Sequence, residues 1–304
     1  MNRLAVKIGR LKLKNPILTA SGTFGYGEEF SDLIDLNQLG GLVTKAVSYE
    51  PRAGNPLPRI AETSSGMLNS IGLANVGVKI FIAEKLPFLK TLSTQVIVNV
   101  AGKTIEEFSD VISEIENAGG VDGYELNVSC PNVKEGGMSF GASARITASV
   151  TATARSVTQN CLIVKLSPNV TSIGEIARAA ENAGADALSV MNTVVGMAVD
   201  INTKRPKLAT TTGGLSGPAI KPIAIAKVFE TARSVKIPII GVGGIMNCSD
   251  VLEFLITGAT AVQVGTANFL NPKISEQLVI DLKNYCQQND IQNINQIIGS
   301  IQVR

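Results

Sequence analysis

Histidine is absent from all 304 residues. Acid–base chemistry therefore falls to Cys, Lys, Asp, Glu or Tyr, and a His-based triad or a His-rich metal site is excluded. Cysteine is sparse and scattered. The four are Cys130, Cys161, Cys248 and Cys286, and the closest two lie about thirty positions apart. Zinc and iron–sulfur sites use ligands spaced roughly two to four residues apart, so no metal site is expected in this chain. No disulfide framework is expected either. Charge of one sign is also lacking: 27 basic residues face 25 acidic ones, a net charge of +2. Nucleic acid and membrane surfaces gain no support as partners. No apolar stretch is long enough for a bilayer. The start, Met1-Asn2-Arg3-Leu4, leads into polar–apolar alternation and not into a signal-peptide core. A soluble cytoplasmic protein is expected.

Hydrophobic residues make up 45% of the chain, enough for one large core and for a single domain spanning 1–304. Eight short runs rich in Val, Ile and Leu recur at 16–20, 41–47, 95–101, 123–129, 161–166, 187–192, 238–242 and 261–265. Near-continuous apolar runs are what parallel strands covered on both faces require. Helical periodicity lies between them. One helix opens on Thr104 with Glu107 three residues later, a capping-box spacing, and carries Ile105, Phe108, Ile112 and Ile115 on one face. Others are expected over 171–182, 218–235, 248–256 and 272–287, two of them beginning with proline, Pro218 and Pro272. Three similar segments, 117–122, 182–186 and 257–260, each close a helix and precede a strand. Their glycines, Gly119, Gly184 and Gly258, fit helix C-caps. The sum is an α/β chain, a (β/α)8 TIM barrel with elaborated loops at its C-terminal face. The elaborations are the connections 48–75 and 192–217, both longer than a βα loop needs and both following strands.

Polar side chains gather at the expected strand ends. They are Ser21-Gly22-Thr23, Thr44-Lys45, Asn99, Asn127 with Cys130, Lys165, Asn192-Thr193, Gly243-Gly244 and Gly265-Thr266. Lysine is rarely buried, so Lys45 and Lys165 within β-runs call for anionic partners or a shifted pKa. The glycine turns after the seventh and eighth strands suit a phosphate. Cys130 sits where a strand empties into a Gly-rich loop, with Pro131 ending any pairing. It reads either as an inert half-buried thiol or as a reactive group under a lid formed by 131–141. A phosphate cradle with rim lysines fits a Schiff-base aldolase through Lys165 or Lys45. It also fits a flavin enzyme, where lysine offsets charge developing on the ring. The asparagines Asn69, Asn99, Asn127 and Asn192 favour the flavin, since they donate and accept around a planar ring.

In this order the chain carries Asn15-Pro16, Ala20-Ser21-Gly22-Thr23-Phe24-Gly25-Tyr26-Gly27, Thr44-Lys45, and Glu50-Pro51-Arg52 followed by Gly54-Asn55-Pro56. Then come Asn69-x-Ile71-Gly72-Leu73, Asn127-x-Ser129-Cys130-Pro131-Asn132-Val133, Asn192-Thr193, Gly213-Gly214-x-Ser216-Gly217, Gly243-Gly244 and Gly265-Thr266. Together they resemble the dihydroorotate dehydrogenases. The segments Val133-Lys134-Glu135-Gly136-Gly137 and Gly25-Tyr26-Gly27 resemble the catalytic subunit of class 1B, the NAD-dependent type. The resemblance implies FMN held by Ser21, Lys45, Ala46, Asn99, Asn127, Lys165, Met191, Gly217, Gly243, Gly244, Gly265 and Thr266. It implies dihydroorotate held by Lys45, Asn69, Ser70, Ile71, Gly72, Leu73, Asn127, Asn192 and Thr193. Cys130 would be the catalytic base, with Lys45 assisting. Oxidation to orotate, a step of pyrimidine biosynthesis, would pass electrons to NAD+ through a partner subunit carrying FAD and a [2Fe–2S] cluster, in an A2B2 heterotetramer. Two departures stand out. Ala46 has no hydroxyl where relatives often carry Ser or Thr, and Ala74 replaces the commoner Gln. Rival readings are the fumarate-dependent class 1A, a dihydropyrimidine dehydrogenase-like reductase, and a non-catalytic flavoprotein scaffold.

Overall fold

The computed structural model describes residues 2–128, 134–135 and 138–303. Eight parallel strands close into a barrel: β1 Ile17–Thr19, β2 Gly41–Val43, β3 Gln95–Val100, β4 Gly123–Asn127, β5 Cys161–Leu166, β6 Ala187–Val190, β7 Ile239–Val242 and β8 Ala261–Val264. Each pairs with its neighbours in chain order, and β8 closes on β1. Every residue of β5 to β8 is buried, because helices cover the outer face and the barrel interior takes the other. The register sets Lys165 of β5 beside Asn127 of β4 and Ser189 of β6. Those polar positions therefore share one level of the barrel wall. An antiparallel hairpin, Val6–Ile8 with Leu11–Leu13, packs at the N-terminal end, where the Cys161 thiol lies 3.6 Å from the Ile8 carbonyl.

Most expected elements form, with informative differences at their ends. Three strands stop two or more residues short of their apolar runs, at Val43, Asn127 and Val190. At the rim the backbone leaves the ladder, and the peptide Val190–Met191 is cis. Thr104 caps the helix Ile105–Ala118 by accepting from the Glu107 N–H, but the Glu107 carboxylate accepts from the Lys103 N–H and not from that of Thr104. The complete capping box lies elsewhere, between Asn247 and Asp250 at the head of Cys248–Thr257. Pro218 does open its helical segment, whereas Pro272 precedes the helix Ile274–Gln288 by two residues. The helix Ala144–Ser156 was not anticipated. Its Thr, Ser and Val content is poor in helix propensity, and it is held by burial of Ile146, Val150 and Ala154.

The two long connections meet. Ile60–Thr63 and Gly66–Asn69 come from the first, and Val194–Gly196 and Gly213–Ser216 from the second. Together they form one antiparallel four-stranded sheet. Met67, Leu68 and Asn69 pair with Ser216, Leu215 and Gly214. Connections that follow β2 and β6, on opposite sides of an eight-membered ring, are thereby joined over the C-terminal face. Among the described residues no helix is long and apolar enough to cross a membrane.

Candidate functional site

Under that sheet lies a cavity of about 760 Å3, within the roughly 300–1,000 Å3 range of small-molecule sites. Strand ends supply its walls. Ser21 follows β1, Lys45 and Ala46 follow β2, Asn127 ends β4, Lys165 lies in β5, and Met191, Asn192 and Thr193 follow β6. Gly243-Gly244 and Gly265-Thr266 follow β7 and β8, while Gly217 and the run Asn69 to Leu73 enter from the overlying sheet. Every expected contact residue therefore lines one space, with two exceptions. Asn99 is fully buried in the barrel beneath it. Cys130, with most of the expected lid 131–141, lies outside the described residues.

The walls are fixed by hydrogen bonds among themselves. Asn192 Nδ2 donates to Asn127 Oδ1 at 3.4 Å, and Asn192 Oδ1 accepts from the Thr193 N–H at 2.8 Å. Asn69 Nδ2 donates to the Gly214 carbonyl at 3.3 Å, and the Thr266 hydroxyl donates to Ser216 Oγ at 2.8 Å. The second bond ties the end of β8 to the sheet above. Gly243 and Gly244 have φ of 134° and 75°, conformations that leave only glycine unstrained. A Cβ on Gly22 would meet nothing within 4 Å, so the backbone there is bare to the cavity. Asp250, itself buried, anchors the β7 turn. Its Oδ2 accepts from the Met246 and Asn247 N–H groups at 2.7 and 3.1 Å, and its Oδ1 takes Lys221 Nζ at 2.7 Å.

The two lysines differ. Lys45 is partly exposed to the cavity and, among the described residues, forms no ion pair within 4 Å. A cation in that setting favours an anionic ligand. Lys165 is buried and paired. Its Nζ lies 3.5 Å from Glu125 Oε1, 3.2 Å from Gln263 Oε1 and 3.4 Å from Ser21 Oγ. Glu125, fully buried on β4, also accepts from Asn99 Nδ2 and Ser189 Oγ, both at 2.7 Å, and from Gln263 Nε2. Sequence reasoning missed Glu125, Ser189 and Gln263. Their signal was a lone carboxylate and a lone amide inside otherwise apolar strands, residue types almost never buried without a partner. Among the described residues, the Asn99 Oδ1 and Ser70 Oγ atoms are buried without a hydrogen-bond partner. Such atoms are costly unless something answers them. The arrangement offers a planar ligand a cation, several amides and glycine-lined turns.

The family model for dihydroorotate dehydrogenase matches residues 3–285. The chain is 54% identical over 299 residues to a protein of Trichlorobacter lovleyi named dihydroorotate dehydrogenase B (NAD(+)), catalytic subunit, with 98% of each chain covered. Relatives of the same name from Desulforamulus reducens and Thermoanaerobacter pseudethanolicus are each 53% identical. Those alignments cover 98% of both chains in the first case and 99% in the second.

Proposed function

Because the chain belongs to the dihydroorotate dehydrogenase family, we propose that it oxidises dihydroorotate to orotate in pyrimidine biosynthesis. In this reading the whole chain, 1–304, is one FMN-binding unit. Its electrons leave for NAD+ through a partner subunit carrying FAD and a [2Fe–2S] cluster, in an A2B2 assembly. The names of the relatives, each a catalytic subunit of an NAD(+) type, support the partner. The free thiols Cys161, Cys248 and Cys286 suit the reducing cytoplasm.

The observation that carries the reading is one cavity in which glycine turns, several asparagine amides and a lysine without an ion pair among the described residues meet. The residues fit FMN. Backbone N–H groups at Gly243, Gly244, Gly265 and Thr266 suit its phosphate. Ser21, Ala46, Asn127, Lys165, Met191 and Gly217 line the rest of that space, with Asn99 in the floor beneath them completing the expected set. Ala46 offers only its backbone and a methyl group. When bound, FMN supplies the acceptor for the hydride leaving C6 of dihydroorotate. Cys130 takes the C5 proton as a thiolate; an ordinary cysteine has a pKa of about 8.5, within reach of activation by nearby positive charge. Lys45 counters the negative charge of substrate and ring. Asn127, Asn192 and Thr193, with Asn69 to Leu73, orient the substrate.

Anaerobic mixing with dihydroorotate should bleach the flavin absorbance, and NAD+ should restore it only with the partner present. Fumarate turnover by the lone chain would replace the NAD+ assignment with class 1A. Faster reduction by dihydrouracil than by dihydroorotate would replace the substrate. Cys130→Ser should slow the bleaching strongly and move its pH optimum upward while flavin stays bound; an unchanged rate would remove Cys130 as the base.

A further inference from the structure

The run Asn69 to Leu73, which lines the cavity, ends in a strained turn. Gly72 and Leu73 have φ of 76° and 58°. Glycine adopts such angles freely, but a bulky side chain there is an outlier. It persists only where the surroundings over-determine it. The first half of the run is held by Asn55, whose Nδ2 donates to the Ser70 carbonyl at 2.9 Å and whose N–H donates to the Ile71 carbonyl at 3.0 Å. The second half is held by a buried amide. Asn75 Nδ2 donates to the Leu73 carbonyl at 2.7 Å and to Ser48 Oγ at 2.8 Å. Its Oδ1 accepts from the Gly77 N–H at 2.8 Å and from the Ser48 N–H at 3.2 Å. An asparagine side chain has two hydrogens to give and an oxygen with two lone pairs, and Asn75 uses all of them.

The partners show what this amide joins. The bond from Gly77 is local, the turn that asparagine commonly makes with the residue two positions on. The two bonds with Ser48 cross 27 residues. Ser48 follows Val47, which pairs beside β3: the Val47 N–H donates to the Asn99 carbonyl at 2.8 Å, and the Val47 carbonyl accepts from the Ala101 N–H at 3.0 Å. Lys45 belongs to the same segment, its N–H held by the Gly25 carbonyl at 2.7 Å. One side chain thus clamps the strained end of the cavity-lining run to the part of the barrel wall that carries Lys45. We propose that Asn75 is a positioning residue for the anionic substrate, acting through Leu73. By pinning the Leu73 carbonyl it keeps that residue at positive φ, and so fixes the run Asn69 to Leu73 against Lys45. The inference rests on the dihydroorotate reading above and extends it to a residue outside the cavity lining.

Calorimetric titration of the FMN-loaded chain with orotate tests it. Asn75→Ala should weaken orotate roughly tenfold with FMN retained, because Leu73 is then free to relax to negative φ. Leu73→Gly supplies the discriminating background. Glycine takes positive φ about as readily as negative, so in that background Asn75→Ala should cost no more than about twofold, a coupling that independent sites do not show. Asn75→Asp is the second variant. It keeps the shape and the acceptor for the Ser48 and Gly77 N–H groups but cannot donate to the Leu73 carbonyl. It too should lose roughly tenfold, most of it only while residue 73 is leucine, whereas a simple charge effect would persist in Leu73→Gly. A merely structural asparagine would lower melting temperature and leave the orotate affinity of the folded protein unmoved. Unchanged affinity in either folded variant overturns the proposal, and so does an equal loss in the Leu73→Gly background. Failure of both variants to fold overturns it as well, since Asn75 would then serve the fold. If the FMN-loaded wild-type chain does not bind orotate, the substrate reading itself falls and takes the inference with it.

Discussion

Lys45 is the residue on which substrate charge should register most directly. Its ammonium group faces the cavity and has no carboxylate partner among the described residues. Hydrogen bonds to charged groups are worth about 1.5–3 kcal/mol. Lys45→Met should therefore raise the KM for dihydroorotate by roughly ten- to a hundredfold, read from steady-state rates, with the fold intact by circular dichroism. The buried thiols point to a different observable. Burial, with the Asp186 carboxylate nearby, pushes Cys161 from 9.0 up to about 12, and burial pushes Cys248 up to about 11. A folded-state pKa raised in this way adds stability that is complete below the unfolded value. That stability is lost as pH climbs through the folded value, because the unfolded chain releases the proton first. Urea denaturation should thus show falling stability from pH 9.0 toward about 12. Cys161→Ala should flatten part of that fall.

At the scale of elements, the turn after β7 depends on one side chain. Asp250 holds the Met246 and Asn247 N–H groups and pairs with Lys221, so it joins the turn to the helices Lys221–Ala232 and Cys248–Thr257. Asp250→Ala strands two N–H donors and leaves the Lys221 ammonium with Glu253 as its remaining partner. It should cost about 2–3 kcal/mol in chemical denaturation of the flavin-free chain and weaken flavin binding in parallel. This anchor also marks how far sequence alone reaches. The glycine pair after β7 was legible because a turn approaching a ligand needs glycine, and the strands were legible as apolar runs. Glu125 was not, since one polar letter in such a run does not say whether it faces the barrel interior or the helices. Ala144–Ser156 was not, since tertiary burial and not propensity makes it a helix. The capping at Thr104 was half legible: spacing put Glu107 in reach of an N–H, and geometry chose that of Lys103.

On the scale of the whole molecule, the joining of the two long connections was beyond the sequence. Asn69 and Gly214 are 145 residues apart, and nothing local in either segment names the other as its partner. The barrel was legible because its strands pair with near neighbours in chain order. The overlying sheet pairs across the ring. A side chain on Gly214 would strike the Thr193 side chain at its hydroxyl and Cβ. Gly214→Val should therefore unzip this sheet while the barrel keeps its helical and strand content. Under the proposed reading it should speed flavin release, followed by the rise of free-flavin fluorescence after dilution.

That sheet gives the molecule two separate clocks. Under the proposed reading, a ligand seated beneath it would leave once the pairing between Gly66–Asn69 and Gly213–Ser216 parts, whereas a small ring arriving at the rim would need no such opening. Cofactor residence time would then be set by the lifetime of a few loop-to-loop bonds, and product turnover by the mouth of the barrel. The chain can hold one ligand through many exchanges of the other without binding either of them more tightly.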